Sequence, residues 1–175
     1  MDKKLLVLNK PIVIQLHTLS YAFAFAIPFF IKHPQILVGT AINFLLFMMS
    51  SSLSKKQLIP LIMLPSISVV LHGLLFGSFT AFLLYLMPFI WLGNAILIYF
   101  FRVLENRIPA IFRIIIASRL KAMFLFSCAF VLYQLNILPL IFLTTMGIVQ
   151  FSTAFAGGTI FLLLNRFNIL KIHKK

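Results

Sequence analysis

Side chains that could act as acids, bases or metal ligands are few in this sequence and lie far apart. Its two carboxylates are Asp2, near the N-terminus, and Glu105, which lies among arginines, so no pair is available for acid–base catalysis. The four histidines are scattered without the short spacing of a metal site. No glycine-rich phosphate-binding loop is present. We therefore expect no enzyme, no metal and no other cofactor, and any transport would need an ATPase on another chain.

Uncharged polar and aromatic side chains inside long apolar segments are the better candidates for binding. Amides are costly to bury in hydrocarbon without a partner, so they should turn toward the interior of a helix bundle. Donors, acceptors and rings without charge would suit a small, mostly neutral ligand. The candidate substrate-binding residues are His72, Tyr85, Trp91, Asn94, Tyr133 and Gln150.

The segment around Trp91 has two interpretations. Pro88 and Gly93 bracket it, which predicts a broken helix, and broken helices often line binding cavities at the middle of a membrane. An ordinary packing kink would leave the same pattern, so both interpretations stay open.

A strip of small residues marks the first apolar segment. Ala22 and Ala26 are four residues apart, so they share one face of a helix. Small residues at this spacing let another helix approach closely in lipid. The strip could pack inside the chain's own bundle or dock a separate membrane protein. The pattern does not decide whether Ser20 and Ala24 belong to the same surface.

Composition determines the class of protein. Of the 175 residues, 62% are hydrophobic and 10% are charged, and the net charge is +13. Apolar runs of about 20 residues predict transmembrane helices, so we expect an all-α integral membrane protein with a single domain. The positive charge does not indicate nucleic-acid binding, because lysine and arginine collect in the cytoplasmic loops of membrane proteins.

The apolar runs predict a six-transmembrane-helix bundle. A basic stretch at 105–121 is expected at the membrane interface, with its long side chains snorkelling to the surface. Six spans would place all lysines and arginines except Lys32 on one side, and the positive-inside rule makes that side, with both termini, cytoplasmic. The expected spans are 11–31, 35–52, 58–76, 79–101, 117–134 and 140–164.

In layout and size the chain resembles the substrate-binding S components of energy-coupling-factor (ECF) vitamin transporters. The residues that carry the resemblance are Ala22-Phe-Ala-Phe-Ala26, Met87-Pro88-Phe-Ile-Trp-Leu-Gly93-Asn94 and Gln150-Phe-Ser-Thr-Ala154-Phe-Ala-Gly157-Gly158. The resemblance implies a cell-membrane subunit that captures a small organic micronutrient from outside. It also implies that Ala22 and Ala26 dock a transmembrane coupling subunit, which acts with two cytoplasmic ATPases.

Two features depart from that family. The turn between the first two spans is very short, whereas several members use a long loop there. Members that take up cobalt or nickel begin Met-His, whereas this chain begins Met1-Asp2, which argues against a metal substrate. The alternative function is a small membrane scaffold or assembly protein without a ligand. A binder should enclose a pocket between its candidate residues, whereas a scaffold should pack those residues against each other.

Overall fold

The chain folds into a bundle of helices. The computed structural model describes residues 10–31, 34–73 and 80–167, and for residues 10–17 the backbone alone. The described residues form six helices: α1 (Lys10–Phe30), α2 (Gln35–Ser50), α3 (Lys55–His72), α4 (Thr80–Val103), α5 (Ala110–Gln134) and α6 (Ile141–Arg166). The predicted turns at Lys32-His33 and Gly77-Ser78 lie outside the described residues. The same holds for the terminal basic residues Lys3, Lys4, Lys171, Lys174 and Lys175.

Within the described ranges, three helices are long and apolar enough to cross a membrane, namely α4, α5 and α6. Shorter apolar segments occupy Thr18–Phe30 and Gln35–Ser50. The outside of the bundle is itself apolar, with large side chains such as Leu84, Leu92 and Ile148 more than half exposed. An exterior of this kind is suited to lipid, because it would be unfavourable in water.

The start of α5 differs from the prediction. The helix begins at Ala110, directly after Pro109, and not at residue 117. The helix therefore includes most of the stretch 105–121, which was expected to form a separate interfacial segment. The reason is that the apolar side of the helix already packs against the bundle before residue 117. Ile114 and Ala117 are fully buried, so packing stabilises helical structure in the segment that also carries the arginines.

Short connections make consecutive helices antiparallel. One end of the bundle therefore carries the connections from α1 to α2, from α3 to α4 and from α5 to α6, and we call it the Gln35 end, after the first residue of α2. The opposite end carries most of the described cations. There Arg102 donates hydrogen bonds to the carbonyls of Ser50 and Leu53, which lack helical donors because α2 ends there. Arg113 lies over the ring of Phe101, 4.6 Å from its centre.

The helices α2 and α6 pack backbone to backbone. A Cβ atom placed on Gly157 would lie 2.6 Å from the backbone nitrogen of Phe44 and 2.7 Å from the carbonyl oxygen of Thr40. Backbone atoms cannot move aside as a flexible side chain can. The small residue is therefore what allows these two helices to approach, as small residues do in membrane bundles.

The Gly157→Val protein should be markedly less stable than the wild type. Overpacking costs about 1–3 kcal/mol, so its melting temperature in detergent should fall by about 5 °C or more. Gly147→Ala is the control, because its Cβ would meet the Phe126 side chain at 3.1 Å, and that ring is exposed enough to give way. Equal melting temperatures for the two variants would show that the α2–α6 contact is not as tight as described.

Candidate functional site

A cavity with several polar side chains in a mainly apolar lining lies between the helices. Its volume is about 100 Å³, and all six helices contribute to its wall. Apolar residues such as Pro28 of α1, Val69 of α3 and Ile90 of α4 form much of the lining. The polar residues of the lining are Gln35, Asn43, Ser66, Asn94, Lys121 and Gln150.

The cavity runs from the Gln35 end to the middle of the bundle. Gln35 is the first residue of α2. Lys121 lies near the middle of α5, which spans Ala110–Gln134, and a rise of 1.5 Å per residue puts it about 16 Å from the first residue of that helix. The polar lining therefore extends to the depth of a membrane centre, where polar side chains are costly without partners.

The base of the cavity is a buried lysine held by a neutral network. The ammonium of Lys121, which is 2% exposed, donates to Asn43 Oδ1 at 2.7 Å. The amide nitrogen of Asn43 donates to the Gly39 carbonyl at 2.8 Å and to Thr153 Oγ1 at 3.2 Å. The Thr153 hydroxyl in turn donates to the Gln150 carbonyl at 3.3 Å. The network joins α2, α5 and α6 and fixes the direction of the Asn43 side chain.

A π-helical turn, Thr145–Val149, interrupts α6 directly before Gln150. A π turn inserts one extra residue into a helix and so changes which side chains face inward, and such turns are frequent at functional sites. Here Met146, within the π turn, and Gln150, directly after it, both line the cavity. The Thr145 hydroxyl donates to the Ile141 carbonyl at 2.9 Å.

The wall formed by α3 and α4 is built around Pro65. Proline removes a helical donor and disturbs the preceding turn, yet α3 continues through it. Asn94 of α4 donates to the Ile62 carbonyl in that turn at 3.3 Å. Trp91 donates through Nε1 to Ser66 Oγ at 2.6 Å. These two bonds join α3 to α4, and the Ser66 hydroxyl itself donates to the Met63 carbonyl at 3.0 Å.

The six predicted binding residues do not form one site. Asn94 and Gln150 line the cavity. Trp91 reaches the lining only through its bond to Ser66, and its ring lies in an outer apolar groove of α3 and α4. Tyr85 is 56% exposed on the outside of α4.

His72 and Tyr133 also lie away from the cavity lining. The ring of His72 contacts Phe29, with 4.6 Å between ring centres, and its Nε2 is buried without a hydrogen-bond partner among the described residues. Tyr133 is half-buried, one residue before the end of α5. The structure thus has a deeper cavity with a lysine side chain in its lining, and not the predicted pocket of uncharged residues.

Lys121 corrects the expectation that the cations of 105–121 snorkel to the membrane surface. Arg119 is exposed, as snorkelling requires, whereas Lys121 is buried. Its spacing carried a signal, because Ala117, Lys121, Leu125 and Ala129 recur every four residues and all are buried. A lysine within that apolar series predicts an inward side chain, and the interfacial interpretation overlooked it.

The small-residue strip on α1 divides into two faces. Ser20 and Ala24 are 2% and 1% exposed, so they pack inside the bundle. Ala22 is exposed and Ala26 is half-buried, next to Phe23, which is 47% exposed. The face that remains available for a partner is therefore centred on Ala22.

Comparison of the chain with protein families, curated proteins and solved structures gives no match. The class of protein has to be argued from the cavity and from the arrangement of the helices.

Proposed function

We propose that this chain is the substrate-binding membrane subunit, or S component, of an ECF-type importer. It captures a small organic micronutrient and delivers it to a coupling module. The observation that carries the proposal is the cavity lined by all six helices, with Asn94 and Gln150 in its mainly apolar wall and Lys121 at its base. Buried polar groups around an open space would not stabilise a scaffold, because apolar side chains that fill the space would make a more stable bundle.

In the proposed topology, six helices span the cell membrane and both termini are cytoplasmic. The described cations support this orientation, because Lys55, Lys56, Arg102, Arg107 and Arg166 lie at the end opposite Gln35. By the positive-inside rule that end faces the cytoplasm. The Gln35 end then faces outward, and the ligand enters the cavity from outside.

An importer of this kind needs an energy source on other chains. The sequence has no phosphate-binding loop, so the partners we propose are a transmembrane coupling subunit and two cytoplasmic ATPases. Ala22, exposed on α1 with the half-buried Ala26 one turn further on, offers a flat surface for the coupling subunit. A second helix can approach closely there because neither residue has a bulky side chain.

The size of the cavity limits how the ligand is held. Pockets for small molecules usually have about 300–1,000 Å³, whereas this one has about 100 Å³. A ligand of vitamin size therefore requires the helices to move apart. A smaller precursor would fit with less movement, so we place the ligand at the small end of the micronutrients.

The test of the proposed assembly is affinity purification of the tagged chain from its native membrane in mild detergent, followed by identification of the bound proteins. We expect one other multi-pass membrane protein together with ATPase subunits of the ABC type. A stable complex with membrane proteins but without an ATPase would instead favour the scaffold.

A further inference from the structure

Among the described residues, the ammonium of Lys121 has one hydrogen-bond partner, Asn43 Oδ1 at 2.7 Å. An ammonium group carries three donors, and this one borders a cavity of about 100 Å³. Asn43 is neutral, so the network satisfies a donor but does not compensate the charge. The hydroxyl of Thr153, which accepts a hydrogen bond from the amide of Asn43, is neutral as well.

In the part of the chain that the structure describes, no anionic side chain lies beside this lysine. None of the described residues that line the cavity is acidic. The one carboxylate in the described part of the chain, Glu105, follows α4 at the end opposite Gln35. Lys121 lies about 16 Å along α5 from that end. A buried cation without an anionic partner is strongly unfavourable, and an ionisable residue inside a membrane bundle points to function.

We infer that the ligand of the proposed binding subunit, on whose function this inference rests, carries a carboxylate that pairs with the ammonium of Lys121. The charges favour a monoanion, because one cation at the base of the cavity neutralises one negative charge. A phosphate dianion would keep a surplus charge that the neutral side chains of Asn94, Gln150 and Ser66 cannot compensate. Asn94 and Gln150 supply hydrogen bonds to the uncharged remainder of the ligand, whereas the Ser66 hydroxyl already donates to the Met63 carbonyl.

Asn43 is a positioning residue in this arrangement. Its amide is held by the Gly39 carbonyl and by Thr153, so its oxygen keeps the ammonium at the base of the cavity. A purely structural lysine would do no more than link α2 to α5. The two roles differ in one measurable respect, because only ligand recognition makes affinity depend on the charge of the ligand.

The test compares acids with their neutral amides on the purified protein in detergent. The probes are butyrate with butyramide, benzoate with benzamide, and nicotinate with nicotinamide, and affinity is obtained from thermal-shift titrations, since a ligand that binds the folded state raises the melting temperature. The variants are Lys121→Met, which keeps the length of the side chain, and Arg119→Met, which removes an exposed cation two residues away.

We expect the wild type and Arg119→Met to bind an acid at least about tenfold more tightly than its amide, as a charged hydrogen bond implies. Lys121→Met should lose that preference. Equal binding of acid and amide by the wild type, or an acid preference that persists in Lys121→Met, would overturn the inference and leave the proposed binding function standing. If Lys121→Met does not fold, the acid–amide comparison on the wild type still shows whether the protein prefers a ligand with a carboxylate.

If the wild type binds no probe of either series, the inference is likewise overturned. Mass spectrometry of molecules extracted from the same preparation then shows whether the carboxylate inference alone has failed or the proposed binding function has failed as well. A retained molecule that is neutral or cationic preserves the binding function, whereas the absence of any retained molecule removes the binding function as well.

Discussion

The Ala22→Trp protein should bind its ligand as the wild type does, yet fail to co-purify with a coupling subunit and fail to support uptake. Ala22 is exposed on α1, so an indole at this position projects away from the bundle and leaves the cavity intact. It would hold a partner helix several ångströms away, which removes the close contact that small residues allow. Binding is measured by thermal shift, assembly by affinity purification, and uptake in whole cells.

Two control variants separate loss of docking from loss of folding. Ala24→Trp places the same side chain where the residue is 1% exposed, so it should destabilise the bundle itself. Leu84→Trp places it on the exposed side of α4, where the residue is 55% exposed, and should have no effect. If the Ala22→Trp protein still assembles with its partners, α1 is not the docking surface.

The Asn43→Asp protein should lose binding of acidic ligands by about tenfold or more. The substitution places a carboxylate where Asn43 Oδ1 now accepts from Lys121 at 2.7 Å. An internal ion pair would then neutralise the ammonium and compete with the carboxylate of the ligand. The aspartate loses the donor to the Gly39 carbonyl, but the Thr153 hydroxyl can turn to donate to it, so the fold should persist.

The control for this variant is Asn165→Asp, which makes the same change at an exposed position near the end of α6. It should leave affinity and melting temperature as they are. Unchanged affinity for acids in Asn43→Asp, with a protein that melts cooperatively, would mean that Lys121 does not recognise the ligand's charge.

Periodicity and composition predicted the helices and their approximate bounds, because long apolar runs have few alternatives to helix in this class of chain. The start of α5 was wrong by seven residues for a specific reason. Arg113 and Arg119 suggested a surface segment, whereas the apolar face that includes Ile114 continues through them. Charge counts within a segment do not reveal which side of the helix the charges occupy.

The site was harder to predict than the helices. Asn94 and Gln150 were recognised because amides in apolar segments have few favourable positions other than a polar interior. Tyr85 was assigned to the pocket as an aromatic side chain with a polar group inside an apolar segment, but it is exposed on the outside of α4. Lys121 was missed because its charge suggested the membrane surface, although its four-residue spacing with Ala117 and Leu125 indicated a buried face. Its contact with Asn43, 78 residues away in sequence, has no local signal.

The most direct test of whether the central cavity holds a ligand is mass spectrometry of small molecules that co-purify with the detergent-solubilised protein. The wild type should be compared with Val69→Phe, which fills the cavity from α3, and with Leu71→Phe, which makes a similar change at a residue 68% exposed on the same helix. We predict a molecule that carries a carboxylate in the wild type and in Leu71→Phe but not in Val69→Phe. An identical set of molecules in all three proteins, or none in any, would contradict the assignment of this chain as a substrate-binding subunit.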